Sequence, residues 1–68
     1  MYYFKSTIKE YRKNSKLTQQ DLADLVNVRR ETINHIENGR YNPTLKLAMD
    51  LSRVLGAPIE SLFQYKDE

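Results

Sequence analysis

Residues 17–40 read LTQQDLADLVNVRRETINHIENGR, and this stretch decides the fold. Apolar residues recur at Leu22, Leu25 and Val26, then at Ile33 and Ile36, with Thr32 on the same face. Spacing of i, i+3, i+4 marks amphipathic helices, because each turn takes about 3.6 residues. Thr18 precedes Gln19-Gln20-Asp21, a capping-box-like start with an acid in the first turn. Val26-Asn27-Val28 interrupts the pattern, and Asn tolerates the positive φ of a tight turn better than most residues. Asn38-Gly39 ends the second helix for the same reason. Two short helices around a turn are expected, over roughly 18–25 and 29–37.

Outward from this stretch the helical habit continues. Ile8 and Tyr11 lie before it; Leu45, Ala48, Leu51, Ser52 and Leu55, then Ile59, Leu62 and Phe63, lie after it. Asn42-Pro43-Thr44 is a turn followed by a helix start, Gly56 ends a helix, and Pro58 suits the first turn of the next. The remaining helices are expected over roughly 5–14, 44–55 and 58–63. Only Tyr2-Tyr3-Phe4 and Phe63-Gln64-Tyr65, at the two ends, look β-like, and they can pair as a small two-stranded sheet. The expectation is one all-α domain over residues 1–68, a bundle of about five short helices. Helices this short are unstable alone in water, so packing must hold them.

With 68 residues, the chain buries only about 60% of its unfolded surface on folding. It contains no cysteine, which excludes disulfides and cysteine-ligated metals and suits a reducing, cytoplasmic compartment. No run is long and apolar enough for a membrane span or a signal peptide. The net charge is +2, but it is unevenly spread: Lys5, Lys9, Arg12, Lys13 and Lys16 face only Glu10 in the first twenty residues. The last twelve hold Glu60, Asp67 and Glu68 against Lys66. A basic front suggests a face for a polyanion. His35 has no second His, Cys or paired carboxylate near it, so neither metal binding nor general-base chemistry is expected. A Gly-rich phosphate loop and a nucleophile–base pair are also missing, so enzyme activity, cofactors and a small-molecule pocket are not expected.

Leu17-Thr18-Gln19, Leu22-Ala23, Val28, Thr32-Ile33 and Ile36-Glu37-Asn38-Gly39 together resemble the helix-turn-helix of the phage-repressor and Cro-like family, also called the xenobiotic-response-element family. Tyr41-Asn42-Pro43-Thr44-Leu45 and Leu62-Phe63 are similar to it as well. The resemblance covers nearly the whole chain and implies a lambda-repressor-like bundle. It implies a sequence-specific regulator of transcription, a repressor by analogy, which binds double-stranded DNA. Asn27 stands where the family usually has glycine, and Arg29 where it usually has an N-capping serine. Ala23 is small where the two helices of such a motif cross closely. The resemblance further sets Arg12 against Glu37 as an ion pair.

The third helix can be laid on a wheel of about 100° per residue with Arg30 at zero. Asn34, Asn38, Glu31 and His35 then fall within roughly 140° on one side, and Thr32, Ile36 and Ile33 lie opposite, between roughly 200° and 300°. The polar arc is rich in groups that read base edges. Arg30 suits guanine O6 and N7, Asn34 suits adenine, Glu31 suits cytosine N4, and His35 can bond a base or phosphate. Arg29 and Arg30 sit at the helix N-terminus, where the macrodipole disfavours cations, and rules broken without local compensation often mark function. The resemblance implies phosphate contacts from Gln19, Asn38, Arg40 and Asn42; Arg29 and Arg12 join them as cations near the groove.

One short recognition helix covers too few base pairs to locate a site, so a homodimer on a palindromic operator is expected. Ile59, Leu62, Phe63 and Tyr65 are its expected interface. The alternative is a protein-interaction module such as the antitoxin of a toxin–antitoxin pair.

Overall fold

A computed structural model describes the backbone of residues 2–67 and the side chains of residues 5–64. The chain ends meet as a two-stranded antiparallel sheet, β1 (Tyr2–Ser6) against β2 (Phe63–Asp67). Its register sets Tyr2 opposite Asp67 and Ser6 opposite Phe63. The side chains of Tyr2, Tyr3, Phe4 and Tyr65 lie outside the described residues, including the part of the expected dimer interface assigned to Tyr65.

The sheet corrects one helix boundary. The first helix, α1, runs Ile8–Asn14 and does not start at residue 5. Lys5 and Ser6 are taken into the ladder opposite Gln64 and Phe63. Thr7 extends the tie, its amide donating to the Leu62 carbonyl at 3.0 Å and its hydroxyl to the Ser61 carbonyl. The Ser6 hydroxyl accepts from the Ile8 amide at 3.2 Å, so the helix begins where the strand ends.

Four further helices follow: α2 (Gln19–Leu25), α3 (Arg30–Glu37), α4 (Leu45–Leu55) and α5 (Ile59–Leu62). Thr44 caps α4, its hydroxyl accepting from the Leu47 amide at 3.1 Å. Pro58 stands one position before α5, where its missing N–H costs nothing. Phe63 is already strand.

Four of the helices end alike. After α1, α2 and α3, a residue in the left-handed region closes the last turn: Lys16 (φ 60°), Asn27 (φ 60°) and Gly39 (φ 71°). In each, the next amide reaches back across the turn, Leu17 to Arg12, Val28 to Ala23 and Arg40 to His35, at 2.9–3.1 Å. That is the Schellman closure. Gly56 (φ 67°) closes α4 in the same way, the Ala57 amide reaching the Ser52 carbonyl at 3.2 Å.

The core draws Ile8 from α1, Leu22 and Ala23 from α2, Ile33 and Ile36 from α3, Leu47, Leu51 and Leu55 from α4, and Leu62 from α5. Ala23 is fully buried, as a close crossing of α2 on α3 requires. Each fully buried large side chain contributes about 1.5–3 kcal/mol of transfer free energy. No described helix is long and apolar enough to cross a membrane.

Candidate nucleic-acid interface

The periodicity that buries Ile33 and Ile36 turns the opposite side of α3 outward. Arg29, Arg30, Glu31, His35 and Asn38 are exposed, and Asn34 is half-buried. The side chains of Arg29, Arg30, Glu31 and His35 have no hydrogen bond or ion pair among the described residues. Arg40 and Asn42 lie exposed just past Gly39. The structure thus leaves the expected base-reading residues of α3 on the side away from Ile33 and Ile36, with Arg40 and Asn42 exposed at its exit.

Beside this arc runs a groove lined by Arg12, Lys13, Lys16, Leu17, Thr18, Gln19, Gln20 and Arg30. It joins the end of α1, the start of α2 and the start of α3. Lys13 and Lys16 were not singled out from sequence, although the excess of bases in the first twenty residues carries their signal. Thr18 opens α2 with a complete capping box: its hydroxyl accepts from the Asp21 amide at 3.0 Å, and the Asp21 carboxylate accepts from the Thr18 amide at 2.9 Å. Hydrogen bonds to the Asp21 carboxyl itself, from the Thr18 amide first and the Thr18 side chain second, hold it below its ordinary range.

Beneath the groove, Arg12 and Glu37 form an ion pair. Arg12 Nε lies 2.6 Å from Glu37 Oε2, and the side chains are 10% and 3% exposed. A second nitrogen, Nη1, donates to the Leu17 carbonyl at 2.8 Å. This geometry corrects the phosphate contact expected of Arg12. Its guanidinium is turned inward and committed to Glu37 and the main chain, so α1, the α1–α2 link and α3 are clamped at one point.

Gln19 also departs from expectation. Its amide nitrogen points inward, donating to Glu37 Oε1 at 3.0 Å and to Asn34 Oδ1 at 3.3 Å. This side chain is therefore turned away from the phosphate contact expected of it, which leaves the main-chain N–H in the first turn of α2, where helical amides lack intrahelical partners. The expected dimer interface needs correction at two residues. Leu62 is fully buried and Phe63 is 8% exposed in the single chain, so both serve its own core; Ile59 is half-buried. Among the described residues no group of His, Cys, Asp and Glu is placed to hold a metal ion.

The chain as a whole is similar to known proteins. The helix-turn-helix family model matches residues 8–62. An HTH-type transcriptional regulator of Archaeoglobus fulgidus is 48% identical over 64 residues, covering 94% of this chain and 90% of that protein. The immunity repressor protein of Bacillus phage phi105 is 38% identical over 55 residues, 81% of this chain and 38% of the repressor. Among solved structures, the restriction-modification controller protein C.AhdI from Aeromonas hydrophila superposes with a TM-score of 0.72 at 26% identity, covering 79% of this chain and 82% of its own. The chain belongs to the helix-turn-helix family of DNA-binding transcriptional regulators, of the phage-repressor and Cro-like type.

Proposed function

We propose that the chain is a sequence-specific regulator of transcription that sets α3 in the major groove of a palindromic operator and acts as a homodimer. The observation that carries this reading is the unpaired polar arc of α3 beside a basic groove. Arg29, Arg30, Glu31 and His35 are exposed and have no side-chain partner among the described residues, so their donors and acceptors are available to a ligand. Arg30 offers a planar fork for guanine O6 and N7, Glu31 accepts from cytosine N4, and His35 bonds a base or phosphate. Arg29, Lys13, Lys16 and Arg40, with the Gln19 main chain and Asn42, meet phosphates and fix the register; the Asn38 NH2 is spent on the Asn34 carbonyl and side-chain oxygen, which corrects the phosphate contact expected of it.

For the dimer, α4 offers the most suitable surface. Leu45 and Met49, one turn apart, are 74% and 50% exposed. Asp50 beside them pairs with Lys46 at 2.7 Å and Arg53 at 3.1 Å. An apolar centre with both charge signs at its rim can complement itself about a two-fold axis, as a dimer of identical chains requires.

The test is binding-site selection from random duplexes, followed by Arg30→Ala. The variant should lose about 1–3 kcal/mol on the selected site and much less on unrelated DNA. Equal weakening on all duplexes would make Arg30 a phosphate contact and remove base readout from it. The selected sequence should be two inverted half-sites. Sedimentation with DNA present should give the mass of the duplex plus two chains, and a single chain per operator would end the dimer.

A further inference from the structure

We infer that Asn34 meets the groove as a hydrogen-bond donor only, and therefore selects guanine and not the adenine its residue type suggests. The inference rests on the DNA-binding reading above and concerns which base one residue reads.

An amide side chain has one accepting oxygen and one donating nitrogen, so its orientation follows from its neighbours. Two independent neighbours orient Asn34. The first chain of bonds starts at Glu37, whose carboxylate can only accept. It takes the Gln19 amide nitrogen at 3.0 Å, and with that orientation set the same nitrogen can only donate to Asn34. Asn34 must present Oδ1, 3.3 Å away. The second starts at the Asn34 main-chain carbonyl, which also can only accept. It takes the Asn38 amide nitrogen at 2.9 Å, and that nitrogen lies 3.4 Å from Asn34 Oδ1. Turning the Asn34 amide over would set its NH2 against two other NH2 groups. Turning Gln19 as well would set its oxygen against the Glu37 carboxylate, which Arg12 holds from the other side.

The Asn34 oxygen is thus taken twice. Its nitrogen has no partner among the described residues, and these include no buried polar side-chain atom without one, so the NH2 is open to solvent. Pairing with adenine needs the amide to donate to N7 and to accept from N6. The second bond is unavailable. Guanine offers two acceptors, N7 and O6, to the two free hydrogens, and thymine offers O4 alone. Gln19 and Asn38 are positioning residues in this account. They touch no base through these bonds, yet they set which base Asn34 prefers.

The experiment compares selected sites for the full chain, Asn34→Ala, and the double variant Gln19→Ala/Asn38→Ala. Asn34→Ala should relax the preference at one base pair per half-site, and the unchanged chain should favour guanine there by about tenfold or more. Replacing that guanine by 7-deazaguanine, which has C–H in place of N7, should lower affinity toward that of Asn34→Ala. The double variant frees the Asn34 oxygen, so adenine should rise at that position to match guanine, whatever the loss of overall affinity. If the double variant does not melt cooperatively, Gln19→Ala alone should show a smaller shift in the same direction. The proposal is overturned if the Asn34-dependent position is an adenine whose exocyclic amine is needed, or if Asn34→Ala relaxes no position. If the unchanged chain enriches no sequence at all, the DNA-binding reading falls and this proposal with it.

Discussion

At the start of α2, the Thr18 hydroxyl and the Asp21 carboxylate satisfy each other's main-chain amides, and an acid sits at the positive end of the helix. At the start of α3, eleven residues on, Arg29 occupies the capping position with no oxygen to offer, and Arg30 adds a second cation. Only Glu31 opposes them in the first turn. At its other end α3 is firmly held. Glu37 is clamped by Arg12 and Gln19, Gly39 closes the last turn, and Ile33 and Ile36 lock its inner side. Helix α2 is secured at its beginning and α3 at its end. What α3 lacks at its beginning is negative charge and hydrogen-bond acceptors, and a phosphate backbone supplies both.

The sharpest way to break this contrast is to release the end of α3. Glu37→Leu leaves Arg12 nearly buried without a counter-charge, and Arg12→Met does the same to Glu37. Each should cost about 3 kcal/mol in chemical denaturation, because an unpaired charge remains in a poorly solvated place. The double variant should recover most of that loss, since an apolar pair can fill the site at little net cost. A coupling energy near zero in the double-mutant cycle would make the clamp incidental.

Next comes the start of α2. Thr18→Ala removes the acceptor for the Asp21 amide and should destabilise the fold by about 1–2 kcal/mol. The start of α3 should respond with the opposite sign. Arg29→Ser supplies a capping oxygen and removes a cation from the positive end, so the free protein should gain about 1 kcal/mol. DNA binding should weaken on every sequence, and the dependence of log affinity on log salt should become shallower by about one unit. If Arg29→Ser leaves the salt slope unchanged, Arg29 is not a phosphate contact, and its missing cap has no functional reading.

The residues that were legible from sequence are those whose environment is local. Thr18, Thr44, Gly39 and Gly56 act within their own turn, and the expected spans of α2, α3 and α4 agree with the structure to within one residue. Lys5 and Ser6 were misplaced in a helix because their partners, Gln64 and Phe63, lie at the far end of the chain. Leu62 and Phe63 carried a correct apolar signal, but periodicity says that a side chain is buried without saying by what. Lys16 in the left-handed region has no glycine to announce it. At the interface, the exposed arc of α3 followed from the wheel. The inward turn of Arg12 and Gln19 did not, because residue type names donors and acceptors and leaves open which way they face.

The smallest effect separates the two helix starts by pH. The Asp21 carboxyl lies below its ordinary value of 3.8, chiefly through the bond from the Thr18 amide. A carboxyl lowered in the folded state favours folding above its unfolded value, and that contribution fades as pH falls through the lower folded value. Asp21→Asn should therefore narrow its stability difference from the unchanged chain as pH drops below about 4. Asp50, also lowered, chiefly by the bond from Lys46, is common to both chains, so the difference isolates Asp21. Glu31, in the corresponding turn of α3, has no such bond among the described residues. Side-chain carboxyl titration by NMR provides the direct check. An Asp21 that titrates at or above the ordinary value would mean that the capping box is not formed in solution, and the contrast between the two helix starts would disappear.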